Sequence, residues 1–211
     1  MITLRNTKGS PLTYGELDGN FSHLDDRTKN GWADIVSEFY TRGGPAAPGV
    51  SQFIGGIYLL EFSDTDTLEA FSNFHIPHTW RLGTMIYPHI HFSVQGNNAG
   101  TVRWGVEYTV AQRREANTSN YTFQAPSTLY IDFAIPANSA YSHFVAEAPE
   151  GQGIAGTNID VDSMIMTRVF RQPTNENDTF AGSVWAITAD LHIEVDKAAT
   201  PFRAPNFITG V

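Results

Sequence analysis

At 211 residues the chain is long enough for one substantial hydrophobic core with an appendage. Its formal charge of −9, with only 13 Lys and Arg scattered along the sequence, excludes a nucleic-acid surface, because displacing counterions from phosphates requires clustered basic residues. Cys is absent, which excludes disulfides and thiolate metal sites and leaves His, Asp and Glu as the strong ligands.

The N-terminus, Met1-Ile2-Thr3-Leu4-Arg5-Asn6, lacks the charged stretch and long apolar run of a secretory signal, so synthesis in a cytoplasm is expected. No run of about eighteen apolar residues suits a bilayer span, and no membrane insertion is expected. Leu12-Thr13-Tyr14-Gly15-Glu16-Leu17 then reads as a helix start. Thr13 is placed to cap, Glu16 falls at the reciprocal capping-box position, and Leu12 is placed to staple against Leu17. Leu17, Phe21 and Leu24 recur at steps of four and three, forming one narrow apolar stripe on an otherwise polar helix. Isolated helices of this length are marginal in water, so the stripe should pack on other copies of the chain or on a receiving protein. The competing expectation is a helix folded back on its own domain.

Asn30 to Phe39 is expected to prolong this helix irregularly through Trp32, Ile35, Val36 and Phe39, after a break at Asn30-Gly31. Three glycines and two prolines within residues 41–49 mark a linker. From Gly56 onward the apolar period becomes two, and turn clusters separate short β-rich runs. The expected strands are Ile57–Phe62, Thr84–Gln95, Thr101–Ala111, Ser127–Ile135, Tyr141–Ala148, Ser163–Arg171 and Ser183–Val195. Gly96-Asn97-Asn98-Ala99-Gly100 reads as a hairpin tip joining two long antiparallel strands. The segment after Ala198 carries Pro201, Pro205 and Gly210 and reads as an extended arm. Its Phe202, Phe207, Ile208 and Val211 should be buried on a neighbour or along one edge of the same domain.

One cluster invites a chemical reading. In Tyr87-Pro88-His89-Ile90-His91-Phe92 the two histidines stand at i and i+2 of an expected strand and so share one sheet face. Neutral imidazoles so placed form half a site for Zn or Fe, and a threefold axis would bring three pairs together in octahedral geometry. His75, His78, His143 and His192 lie near or on other strands, so a mononuclear site within one domain is also open. The metal-free alternative is a set of imidazoles stacked among aromatic side chains and hydrogen-bonded to backbone or carboxylate. Asp64/Asp66, Asp160/Asp162 and Glu147/Glu150 are acidic pairs of the kind used in glycoside cleavage, but that chemistry needs a separation across a cleft that spacing does not define. No nucleophile elbow, phosphate-binding glycine loop or zinc-protease helix is present, so no enzyme is expected.

The segment Gly9-Ser10-Pro11-Leu12-Thr13-Tyr14-Gly15-Glu16-Leu17-Asp18-Gly19-Asn20-Phe21 resembles a leader recurrent at the N-termini of tailed-phage tail-fibre and related virion proteins. Pro88-His89-Ile90-His91-Phe92, Val102–Tyr108 and Asp190-Leu191-His192-Ile193 resemble a domain of phage structural proteins. The resemblance implies a trimeric fibre, collar or neck component, or a head-decoration protein, attached through its helix to portal, neck, tail or capsid proteins. It also implies iron held by His-x-His pairs, although fibres of that kind carry many such pairs along a slender stem.

The expectation is therefore a mainly β protein: an antiparallel jelly-roll-like β-sandwich preceded by a short α-helical docking segment. Residues 1–40 form the attachment and oligomerisation segment, 41–55 the Gly/Pro linker, 56–197 the sandwich and 198–211 the arm. The docking residues are Leu12, Leu17, Phe21 and Leu24, and the metal candidates are His89 and His91. The expected partners are further copies in a homotrimer, other virion proteins, and a host surface glycan, for which Tyr121, Tyr141 and Trp185 are the stacking candidates. The alternatives are an adhesin module that binds a receptor or glycan and a cupin-like His-metal enzyme. The expected location is the virion, after synthesis in the host cytoplasm.

Overall fold

The computed structural model describes residues 2–29, 31–114, 120–196 and 199–200, with side chains in the helix described through Asp25. A short helix α1 (Arg5–Lys8) precedes α2 (Tyr14–Lys29). The capping box forms as the sequence requires. The Glu16 amide donates to Thr13 Oγ1 at 3.2 Å, and the Thr13 amide donates to the Glu16 carboxylate at 2.7 Å. Lys8 also binds that carboxylate, and Asn20 clamps the N-terminal segment by exchanging two hydrogen bonds with the Thr3 backbone. The apolar stripe stays open to solvent: Leu17 is 36%, Phe21 68% and Leu24 46% exposed, so α2 is not folded back onto the sandwich through this face.

Among the described residues ten strands follow, β1 (Gly31–Ser37), β2 (Gly49–Ile54), β3 (Ile57–Phe62), β4 (Glu69–His75), β5 (Ile86–Val94), β6 (Gly100–Ala111), β7 (Ser127–Ile135), β8 (Phe144–Glu147), β9 (Met164–Arg171) and β10 (Val184–Val195). They form two antiparallel sheets, as the mainly β sandwich expectation requires. One runs β2-β3-β10-β5-β8, and β1 joins it on β10; the other runs β4-β9-β6-β7. β10 organises the first sheet. Its start pairs with β3 and its remainder, from Ala189 to Val195, pairs with β1, while β5 lies along its other edge across a bulge near Ile187. Strand alternation then fixes the faces. Ile86, Ile90, Phe92 and Val94 of β5 point into a core shared with Val102, Trp104 and Val106 of β6, while Tyr87, His89 and His91 face outward. Trp104 sits at the centre of that core, edge-on to Phe62 at 5.1 Å and to Phe92 at 5.7 Å.

Four sequence expectations are corrected. Residues 31–37 are a strand rather than a helical extension. Trp32-Ala33-Asp34-Ile35-Val36 alternates with period two, Ala33 and Ile35 pack on the core, and seven paired positions on β10 outweigh local helix propensity. The helical segment therefore ends at Lys29, short of residue 40. Residues 49–54, read as the end of the linker, form β2, which turns through Gly55 at φ 57° to pair with β3. β4 was not expected at all. Finally, Gly96–Gly100 is not a hairpin tip: β5 and β6 belong to different sheets, and the loop crosses the sandwich. Gly100 permits that crossing, since a Cβ there would lie 2.7 Å from the Phe180 Cα. The extended arm and its apolar residues from 201 onward lie outside the described residues.

A buried ion pair joins the ends of the second sheet to the loop before β10. Arg171 donates to both carboxylate oxygens of Asp178 at 2.8 and 2.9 Å, and to the carbonyls of Phe180 and Gly182. Both side chains are essentially inaccessible, at 0% and 1% exposure.

Candidate functional site

The outward face of the first sheet gathers the polar residues that strand register places side by side. On β10, Asp190 stands opposite His89 of β5, and His192 stands opposite Asp34 of β1. On β8, Glu147 stands opposite His89 and Val145 opposite His91. Four strands thus contribute to one row, in which only His89/His91 on β5 and Asp190/His192 on β10 are close in sequence.

His89 and Asp190 form its floor, at 3% and 5% exposure. The Asp190 Oδ2 lies 3.6 Å from His89 Nε2 and 3.4 Å from His91 Nε2, while its Oδ1 is buried without a hydrogen-bond partner. His89 Nε2 is also 3.9 Å from the Asp34 carboxylate, which lies 3.3 Å from His192 Nε2. Burial pushes the His89 pKa down, against the attraction of Asp190. The outer imidazoles are held from behind. His91 Nδ1 is 2.7 Å from His143 Nε2, with the rings stacked, and His192 Nδ1 donates to Glu147 at 2.7 Å. Each of these two rings therefore turns its Nε2 toward a carboxylate. His89, His91 and Asp190 can coordinate a metal ion such as Fe or Zn, and Asp34, His89 and His192 form a second such group.

Beside this row opens a cleft of about 440 Å³, lined by Trp32, Tyr87, Glu147, Glu150, His192 and Glu194. Trp32 is 56% exposed and stands 6.0 Å from the Tyr87 ring and 5.6 Å, edge-on, from His192. A large apolar ring held in the open beside carboxylates combines a flat contact surface with hydrogen-bond acceptors, the combination that specific small-molecule clefts use.

The sequence placed His89 and His91 on one face correctly but supplied neither Asp190 nor Asp34, because cross-strand neighbours depend on pairing register. The Asp-x-His of Asp190-Leu191-His192, repeating the i, i+2 spacing of the β5 pair, was the available signal. Trp32 was missed because residues 31–37 were read as helix. The stacking candidates fare differently. Trp185 is buried against Phe53 and Tyr141 with its Nε1 donating to Ser51, so it has no free ring face for a ligand. Tyr141 covers it, and Tyr121 lies under the Arg114 guanidinium at 4.8 Å.

Several other candidate residues lie in structural contacts. His75 and His78 converge on Asp162, which Arg113 also binds. Asp160 accepts the Val161 amide, and Asp66 accepts the Thr65 hydroxyl. Glu147 and Glu150 do share the cleft, but Glu147 is committed to His192. Among the described residues no convincing catalytic site is assembled.

No family model matches the chain, and no curated protein sequence matches it. Among solved structures, it is similar to that of infectious bursal disease virus Gx strain, with 10% identity over 85% of this chain and 34% of that one and a TM-score of 0.36. It thus spans about a third of that viral chain's length. It is also similar to a carbohydrate-binding module of family 28 specific for non-crystalline cellulose, with 20% identity over 74% of this chain and 84% of that one, at a TM-score of 0.35. A third similarity is to the family 11 carbohydrate-binding module from Clostridium thermocellum in complex with a β-1,3-1,4-mixed-linked tetrasaccharide, with 13% identity over 78% and 94% and a TM-score of 0.31. With TM-scores below 0.5, these likenesses carry no argument.

Proposed function

We propose that the chain is a non-enzymatic glycan-binding module, displayed on a tailed-phage particle through its N-terminal helix. The observation that carries the glycan reading is the cleft built on Trp32. Its exposed indole offers a flat apolar surface for the C–H face of a sugar ring, and Glu147, Glu150 and Glu194 supply acceptors for hydroxyl groups at the rim. Glu194 is paired with Arg81 at 3.0 Å and Glu147 with His192 at 2.7 Å, while Glu150 disfavours an anionic sugar, so the expected ligand is a neutral glycan. Titrating the full chain with neutral host polysaccharides and their oligosaccharides tests this. Trp32→Ala should weaken binding at least tenfold, while Tyr121→Ala should leave it unchanged. Absence of binding to every neutral glycan, or full binding by Trp32→Ala, would refute the assignment.

The particle reading rests on the capped helix and its open stripe. Tyr14, Leu17, Phe21 and Leu24 alternate in steps of three, four and three, the a/d pattern of a coiled-coil seam, which favours association with the same helix of other copies. Leu12 stands at the helix entrance. A homotrimer joined in this way would present three clefts from one anchor to the portal, neck, tail or capsid. Sedimentation of the intact chain should give a multiple of the monomer mass, and Phe21→Asp should shift it to monomer and abolish incorporation into particles. A monomer at micromolar concentration in the unaltered chain would overturn the oligomeric half of the proposal.

A further inference from the structure

We infer that a single chain holds one divalent transition-metal ion between His89 Nε2, His91 Nε2 and Asp190 Oδ2, independently of the glycan reading. Tetrahedral coordination with bonds of about 2.0–2.1 Å separates neighbouring donors by about 3.3–3.4 Å. The separations of Asp190 Oδ2 from His91 Nε2 and His89 Nε2 are 3.4 and 3.6 Å, so small side-chain adjustments suffice. The three donor atoms all lie within 4.8 Å of one another.

Two further observations favour an ion over a purely hydrogen-bonded cluster. The first concerns Asp190, whose carboxylate is 5% exposed and whose Oδ1 has no hydrogen-bond partner. No Lys or Arg pairs with it among the described ion pairs; its neighbours are imidazoles. A buried anion in those surroundings lacks the compensation that buried charge requires, and a bound cation supplies it. The second concerns orientation. Ligating histidines commonly bind through one ring nitrogen while the other is fixed by a hydrogen bond. His143 holds the Nδ1 of His91 in this way, leaving Nε2 to face Asp190. In the neighbouring group Glu147 fixes His192 likewise, with its Nε2 toward Asp34. Asp34, 3.9 Å from His89 Nε2, belongs to that neighbouring group, so the fourth position is left to water or another ligand. The mixed imidazole and carboxylate donor set suits Zn²⁺ or Fe²⁺ rather than Ca²⁺ or Mg²⁺, which prefer all-oxygen shells.

The geometry also alters the expectation of a threefold site. Within one chain the His89/His91 pair already meets a carboxylate, so no symmetry axis is needed to complete a donor triad.

The test is metal titration of the full, chelator-stripped chain in the absence of sugar, following Zn²⁺ binding by calorimetry and Co²⁺ binding by visible absorption. One ion per chain is expected, with micromolar or tighter affinity and the intense visible bands of tetrahedral Co²⁺. His91→Ala, at a partly exposed position, should retain its fold and lose at least tenfold in affinity; Asp190→Asn should do the same, and His75→Ala should bind normally. Absence of binding at about a hundred-fold excess of metal over protein, undiminished binding by His91→Ala, or one ion per three chains would each overturn the inference. Sugar binding is read separately, so either reading can fail alone.

Discussion

Replacing Asp178 by Asn keeps the shape of the side chain and removes its charge, leaving the Arg171 guanidinium buried with no counter-ion. Arg171 is fully buried and spends four of its donor contacts on Asp178 and two carbonyls, so it has no route to solvent. Breaking such a pair from one side costs about 3–5 kcal/mol. At about 2–4 °C per kcal/mol for a chain of this size, the midpoint of thermal unfolding should fall by about 6–20 °C. A more exposed Arg–Asp pair supplies the contrast. Arg103 meets Asp132 at 2.6 Å, but Asp132 is 41% exposed, so water replaces it when it is removed. Asp132→Asn should cost less than about 1 kcal/mol. Urea unfolding followed by circular dichroism would read both as shifts in midpoint at constant slope. Equal losses in the two variants, or a loss below about 1 kcal/mol in Asp178→Asn, would refute the argument that burial rather than pairing sets the cost.

Two glycines should respond in opposite directions. Gly156→Ala should destabilise by at least about 1–3 kcal/mol, because its Cβ would lie 2.1 Å from the Thr84 carbonyl oxygen. Gly19→Ala, on α2 with nothing within 4 Å, should raise helix content and stabilise α2 by about 1 kcal/mol, read by circular dichroism and thermal unfolding. The Lys8 hydrogen bond, followed by the Thr13 amide, holds the Glu16 pKa down at about 2. Its contribution to the helix start should therefore be complete above the ordinary 4.5 and disappear as pH falls toward 2. Carboxyl NMR should show this midpoint, with Lys8→Ala moving it up toward 4.5.

Local chemistry explains what was legible in the sequence. The capping box at Thr13 and Glu16 is a contact between residues three apart, alternation in Ser127–Ile135 needs only the period of two, and Ile57–Phe62 is marked by its β-rich composition. Those segments formed with the bounds their sequences indicate. The same locality put His89 and His91 on one face. Trp32 shows where it stops: residues 31–37 carry both a helical and a strand reading, and the choice was made by β10, about 160 residues away. The loop at Gly96–Gly100 looked like a hairpin because turn residues report a reversal of direction without reporting which sheet receives the next strand.

The capped helix start with its apolar stripe, the β character of the rest and the shared face of the two β5 histidines thus follow from local sequence alone. That Asp34, Asp190 and His192 stand beside them, and that Trp32 opens onto the same cleft, depends on long-range strand pairing. The reason is register: antiparallel pairing along β10 sets which residues become cross-strand neighbours, and a shift of one position would turn Asp190 into the core and dissolve the site.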